Sequence, residues 1–326
     1  MSKDVVTASA PAKVILFGEH FVVYGEPAVV LAIDKRVFAT VQLRKDDRIY
    51  VSSSDMRISG TFRGGKFQAE KGGSEARLKL EPTRSAVQQV LTKAQKKAGV
   101  NVKIKSEVPV SAGLGSSAAV ATSTILAVSS LLGMELSREQ IFQMAYESER
   151  VVHGTPSGID PAVSTYGGML EFQKGKDFIP LNIETEVPLI IGNTKLQRST
   201  GELVASVRRM KEHYPAIIDP LIQIGGKIAL GAVGALRNNN LQAVGDLMNI
   251  NHAILGAVGA SHESLERLVY AARKGGAFGA KLTGGGGCMI ALAEKRKLKR
   301  VCTAIERVGG TAFEARKTDE GARVES

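Results

Sequence analysis

At 326 residues, 44% of them hydrophobic, the chain is long enough to bury a full core and to divide into about two lobes. Its net charge of +11 raises the question of nucleic acid, but the basic residues are spread over 44–48, 93–97, 208–211 and 295–300, with 5% aromatics and no Trp to stack bases, so the excess favours anionic small molecules. No apolar run reaches the length of a membrane span, the first residues lack a signal-peptide core, and Cys288 and Cys302 have neither a disulfide framework nor metal-ligand spacing, which predicts a cytoplasmic protein with both thiols reduced and packed.

Residues 8–17 read as an opening strand that carries Lys13 among apolar neighbours. The polar, turn-rich stretch 18–27 then holds Glu19, His20 and Tyr24 close together. Strands are predicted at 28–32, 37–43 and 48–52, followed by a glycine-, serine- and charge-rich region, 55–81, of hairpins and exposed loop. A helix is predicted over 85–98 with Gly99 as its stop, and residues 101–106 alternate like a strand. Pro109 leads into Gly113-Leu114-Gly115-Ser116-Ser117, and 118–132 form an unbroken apolar run suited to a buried helix. Ser137 and Gln140 have the spacing of a capping box opening a helix to about residue 152. The stretch 154–158 breaks that helix, Ile159-Asp160-Pro161 begins another element, and Gly167-Gly168 end it. Strands follow at 169–173 and 189–193. From 200 to 274 the pattern is helical, interrupted at Pro215, at Asn238–Asn240 and at Gly259. Strands at 277–283 and 288–292 flank Gly284–Gly287, and a helix over 295–308, a strand over 311–315 and a polar tail complete the chain. The change from mixed to helical character predicts two lobes, 1–190 and 191–326, with no internal repeat.

The glycines at 113 and 115, between strand and helix, let backbone approach a ligand without a Cβ in the way. The unpaired N–H groups and positive dipole end of the following helix favour an anion, so the junction is a phosphate cradle. Two ligands compete for it. Gly113-x-Gly115-x-x-Ala118 with Glu135 roughly 20 residues on matches a dinucleotide fingerprint, but that fold needs a strand where a capped helix follows. The other reading is a nucleoside triphosphate, with the Ser116 or Ser117 hydroxyl near Mg²⁺; the Walker pattern is absent. Phosphoryl transfer also requires metal-binding and acceptor-binding carboxylates and a cation. Glu147, Glu149, His153 and Asp160 supply candidates, although each has an ordinary alternative as a solvated helix residue, a dipole partner or an N-cap. Lys13 needs a partner or a pocket unless its head reaches water at a strand edge. Lys281 and Thr283, just before the four glycines, are placed to contact a carboxylate or phosphate.

Three stretches resemble the motifs of the GHMP kinases: Pro11-Ala-Lys13-Val-Ile-Leu-Phe-Gly-Glu19-His20, the cradle from Pro109 to Ala119, and Lys281-Leu-Thr283-Gly-Gly. Their order and spacing agree along essentially the whole chain. Val23-Tyr24-Gly-Glu-Pro-Ala and the segment from Glu147 to Asp160 are similar to the mevalonate-phosphorylating branch, in its compact archaeal or bacterial form. The resemblance implies an α+β, two-lobed GHMP kinase fold: an N-terminal lobe like ribosomal protein S5 domain 2, a ferredoxin-like, helix-rich C-terminal lobe, and a site in the cleft between them. It implies ATP-dependent conversion of (R)-mevalonate to (R)-5-phosphomevalonate, with phosphomevalonate, homoserine or sugar kinases and a non-catalytic sensor as alternatives. On the family pattern, Asp160 and Lys13 are catalytic, with Asp160 either abstracting the acceptor proton or orienting the hydroxyl. Ser117 and Glu149 hold Mg²⁺. Ser106, Pro109, Val110, Ser111, Ala112, Gly113, Leu114, Gly115, Ser116 and Ser117 bind ATP. Glu19, His20, Asp160 and Thr283 shape the substrate pocket. The family also implies a homodimer, with no nucleic-acid or membrane partner. One departure is local: family members carry Gly-Ala-Gly-Gly-Gly-Gly after Lys-Leu-Thr, whereas only Gly284–Gly287 precede Cys288 here.

Overall fold

The computed structural model describes residues 4–109, 113–153, 157–196 and 200–325, with the side chains of Val152, His153 and Thr200 outside that description. Strand β1 (Val5–Phe17) pairs antiparallel with β2 (Ala28–Arg44) along most of its length, the turn between them holding a short 3-10 helix over Phe21–Tyr24. β3 (Ile49–Ser53), the hairpin β4 (Ile58–Arg63) and β5 (Lys66–Lys71), helix α1 (Ala76–Lys93) and β6 (Gly99–Ser106) follow. Next come α2 (Ser116–Leu131), α3 (Arg138–His153), α4 (Ile159–Tyr166), β7 (Met169–Phe172) and β8 (Ile179–Leu181). Together with the last strand, β13 (Arg323–Val324), these eight strands form a nine-stranded sheet in the order β13-β1-β2-β6-β3-β4-β5, with β7 on β2 and β8 on β7.

The second sheet opens at β9 (Leu189–Asn193). Helices α5 (Thr200–His213), α6 (Pro215–Arg237), α7 (Leu241–Ala257) and α8 (Glu263–Lys274) precede β10 (Gly279–Thr283) and β11 (Cys288–Leu292). Helix α9 (Leu298–Arg307), β12 (Thr311–Ala315) and β13 (Arg323–Val324) end the chain. The order here is β10-β11-β9-β12, antiparallel throughout. One buried cluster joins Val14, Leu16, Leu31 and Leu114 of the first sheet's side to Ile190, Leu282 and Met289 of the second, so the sheets share a core at their seam. A separate cluster packs α1, α2 and α3 on β2, β3 and β6.

Three expectations need correction, and two short strands, β8 and β13, are additions to the predicted elements. Strands predicted separately at 28–32 and 37–43 are one strand, because Asp34 and Lys35 form a bulge: Ala12 faces Ile33 while Pro11 faces Arg36. Helix α1 spans Ala76–Lys93 rather than 85–98; it runs through Pro82, which costs one backbone bond. Strand β8 lies between the strands expected at 169–173 and 189–193, where none is predicted. The polar tail is held: the buried Arg36 guanidinium donates to Ser9 Oγ at 2.7 Å and to the carbonyl of Gly321 at 2.7 Å, and β13 pairs with β1. Finally, α6 is long and apolar enough to cross a membrane, against the expectation that no run reaches that length; it packs on α7 and on the Phe21–Tyr24 turn, where Phe21 meets Gly225. The capping box at Ser137 forms as expected, Gln140 N donating to Ser137 Oγ at 3.2 Å and Ser137 N to Gln140 Oε1 at 3.1 Å. Cys288 and Cys302 are free thiols, with burial holding Cys288 up at about 12 and Cys302 up at about 11, well away from reactive thiolates.

Candidate active site

Helix α2 begins at Gly115, whose φ of 71° is left-handed and whose position no side chain caps. Ala119 N bonds back to the Gly115 carbonyl at 3.1 Å, so the preceding N–H groups of the first turn face forward, as an anion requires. Gly115 is needed for a second reason. A Cβ there would lie 2.8 Å from Lys13 Cγ and 3.5 Å from Asp160 Oδ2, so the turn rests directly on that pair. Lys13 N also donates to the Leu114 carbonyl at 2.9 Å, which ties β1 to the loop.

Lys13 and Asp160 meet at 3.1 Å, although they are far apart in sequence. The lysine side chain is 5% exposed and the aspartate 32%, so the ion pair satisfies the buried ammonium while leaving part of the carboxylate open. Strand bulging beside Pro11–Ala12 turns the local backbone, and Asp160 sits in the first turn of α4, where the helix dipole favours a carboxylate. On the other side of the turn, Ser117 Oγ donates to Glu149 Oε1 at 2.5 Å, with Glu149 4% exposed. A hydroxyl and a carboxylate placed together are hard oxygen donors suited to Mg²⁺, which takes one or two protein oxygens and completes its shell from phosphate and water. Among the described residues no cluster of three acidic, His or Cys side chains offers an all-protein metal cage.

The second glycine run faces the first. A Cβ on Gly284 would lie 2.8 Å from the Gly113 carbonyl, so the approach needs glycine at 284, while Gly113, with a left-handed φ of 70°, would meet Gly285 N at 3.5 Å. Ser106 ends β6 beside the loop, its hydroxyl donating to the Val108 carbonyl at 3.0 Å. Pro109 and Ser116 are half-buried, and Leu114 packs in the shared core. Val110, Ser111 and Ala112, expected on the phosphates, and the His153 side chain lie outside the described residues. Glu147 is on the solvent side of α3, paired with Arg150 at 2.9 Å.

Thr283 joins the two sheets: its hydroxyl accepts from Ile15 N at 3.1 Å and donates to the Ile15 carbonyl at 2.9 Å. Glu19 is fully buried and paired with Lys281. Burial raises the Glu19 carboxyl, and the Lys281 charge opposes that rise. His20, 6% exposed with a left-handed φ of 62°, is held down at about 4 by burial and by Lys281. Two histidines that sequence reasoning passed over brace β10 and the glycine loop after it. His252 Nδ1 accepts from Leu282 N at 3.3 Å, and His262 Nε2 donates to the Gly286 carbonyl at 2.9 Å. Both sit in long helical patterns with nothing in their spacing to separate them from ordinary helix residues.

The His20 shift has a consequence for stability. Its folded-state value lies below the ordinary 6.5, so the folded chain takes up a proton less readily than the unfolded one. The stability from neutral His20 is therefore complete above about pH 6.5 and is lost as pH falls toward 4. Between pH 7 and pH 5 the unaltered protein should lose about 2 kcal/mol more than His20→Gln, measured by urea unfolding. Equal losses in the two proteins would show that His20 does not carry this sensitivity.

Against this geometry stand the similarities to known proteins. The GHMP kinases N terminal domain matches residues 83–168, and the GHMP kinases C terminal domain matches residues 232–310. The mevalonate kinase of Pyrococcus furiosus is 45% identical over 332 residues, covering 98% of both chains. Among solved structures, L. major mevalonate kinase in complex with R-mevalonate superposes with a TM-score of 0.84 at 27% identity, covering 98% of this chain and 100% of that one. The Methanococcus jannaschii mevalonate kinase superposes with a TM-score of 0.80 at 28% identity, covering 96% and 98%.

Proposed function

Because the chain belongs to the mevalonate kinase family of the GHMP kinases, we propose that it transfers the γ-phosphoryl group of ATP to the 5-hydroxyl of (R)-mevalonate, giving (R)-5-phosphomevalonate and ADP. The observation that carries the reading is the Lys13–Asp160 pair lying against Gly115 at the start of α2. Residues 1–190 form the nucleotide-binding lobe and 191–326 the substrate-side lobe in this proposal, with the last strand returning to the first lobe. ATP lies along Ser106 and the loop from Pro109 to Ser117, its phosphates on the first turn of α2. Ser117 and Glu149 would hold Mg²⁺, which when bound offsets charge on the β- and γ-phosphates. Glu19, His20 and Thr283 frame the mevalonate side, and the 5-hydroxyl faces Asp160.

The acceptor oxygen attacks the γ-phosphorus while the bond to the β,γ-bridging oxygen breaks and ADP departs. Asp160 takes the hydroxyl proton, and the Lys13 ammonium offsets negative charge between acceptor and phosphate. Holding the two reactants in line supplies much of the acceleration, since little covalent chemistry is left to the protein. The enzyme works in the cytoplasm as a homodimer, without nucleic acid or membrane as partner.

An ADP-release assay with mevalonate, phosphomevalonate, homoserine and galactose tests the assignment. Mevalonate should give the highest kcat/KM by at least about tenfold, the discrimination expected when a site's polar groups are left unpaired by the wrong substrate. A preference for another alcohol would move the chain to a different kinase activity, and the absence of ADP release with every alcohol would favour a binding protein.

A further inference from the structure

Glu19 and His20 contain three buried polar atoms without a hydrogen-bond partner: Glu19 Oε2, His20 Nδ1 and His20 Nε2. Such atoms are costly when buried, and here they are adjacent in sequence on a turn whose second residue is held left-handed. Glu19 is fixed from the other sheet. Lys281 on β10, with no exposed surface, pairs with Glu19 Oε1 and donates to the Leu282 carbonyl at 2.6 Å. Two residues on, Thr283 grips Ile15, so β10 is tied to β1 by a hydroxyl and to the turn after it by a charge.

We propose that Lys281 is a positioning residue for the alcohol substrate: it fixes one Glu19 oxygen across the seam between the sheets, so that the other oxygen and the His20 ring are presented to the substrate. The inference rests on the mevalonate reading for the identity of that alcohol, but not for the Lys281–Glu19 linkage. An acceptor-only carboxylate oxygen is completed by a donor, and a substrate hydroxyl is one. The imidazole serves as donor or acceptor because burial, and then Lys281, keep it neutral. Lys13 is the other cation acting on Glu19, which places this pair in the same field as the reacting groups. Burial disfavours charge on both Glu19 and Lys281, and each partner's charge opposes the other's shift. Removing the lysine alone therefore leaves an acid that is protonated or displaced.

Four proteins test this: unaltered, Lys281→Met, Glu19→Gln and the double variant. Lys281→Met should raise KM for mevalonate at least tenfold and leave KM for ATP within twofold, and Glu19→Gln should do the same. In the Glu19→Gln background the lysine has no carboxylate left to hold, so the double variant should match Glu19→Gln within about threefold. That last comparison stands even if Lys281→Met alone does not fold. A further tenfold rise in the double variant, an unchanged mevalonate KM in Glu19→Gln, or an equal rise in both KM values would overturn the proposal. If the unaltered protein prefers another alcohol, the same four proteins are compared on that alcohol, which separates a failed substrate assignment from a failed linkage.

Discussion

Lys13→Met and Asp160→Ala should each lower kcat by roughly 10³- to 10⁴-fold while leaving ATP affinity within a few-fold. The two substitutions fail for different physical reasons. Methionine retains most of the lysine's packing beside Gly115 and removes the charge that the proposed mechanism sets against the migrating phosphoryl group. Its loss leaves Asp160 unpaired but still part-exposed, so the fold tolerates it. Asp160→Ala removes the proposed acceptor for the hydroxyl proton and strands the Lys13 ammonium in a nearly closed site. Asp160→Ala should therefore also be the less stable of the two, by thermal melting. Steady-state kinetics with a parallel titration of ATP decides the matter. Turnover within tenfold of the unaltered enzyme would remove both residues from the chemistry.

The second large effect is expected at Glu149. Glu149→Gln keeps the size of the side chain and a hydrogen-bond acceptor for Ser117 but removes the negative charge. Mg²⁺ prefers anionic oxygen, so the concentration giving half-maximal rate should rise at least tenfold, and kcat at ordinary Mg²⁺ should fall roughly 10²-fold. Raising Mg²⁺ should restore part of that loss. A variant with an unshifted Mg²⁺ dependence would assign the 2.5 Å Ser117–Glu149 contact to holding α2 on α3. Ser117→Ala provides the comparison, since it removes the neutral donor and leaves the charge.

The elements that position the chemistry were legible because their residues break local rules. A lysine inside an apolar strand demands a partner, and two glycines at a strand-to-helix junction demand a close approach. What sequence could not supply was the identity of that partner. Asp160 is an ordinary N-terminal helix acid until the fold brings α4 beside β1, and motif resemblance, not residue physics, selected it. Glu19 and Lys281 illustrate the same limit. Each is conspicuous alone, but their union crosses two sheets whose register no local pattern encodes.

The misread elements have physical causes of the same kind. Asp34 and Lys35 carry the composition of a turn, and only the pairing with β1 turns them into a bulge inside β2. Pro82 is a legitimate helix boundary signal, overridden where α1 buries Ala76 and Leu80 before the proline and Val87 and Val90 after it. The tail gave no apolar pattern because backbone carbonyls at Glu320 and Gly321, not side chains, receive the Arg36 guanidinium. In α6 the misreading ran the other way: Asp219 and Lys227 interrupt the apolar residues, while the uninterrupted helical backbone from Pro215 to Arg237 makes it long enough to span.

The most direct measurement is phosphorus NMR of the purified protein with ATP, Mg²⁺ and (R)-mevalonate. The account predicts loss of the γ-phosphate signal in step with the appearance of ADP and of one phosphomonoester, whose phosphorus couples to the two protons of the C5 methylene. ADP accompanied only by inorganic phosphate, an ester at the tertiary hydroxyl, or ATP left intact would contradict it.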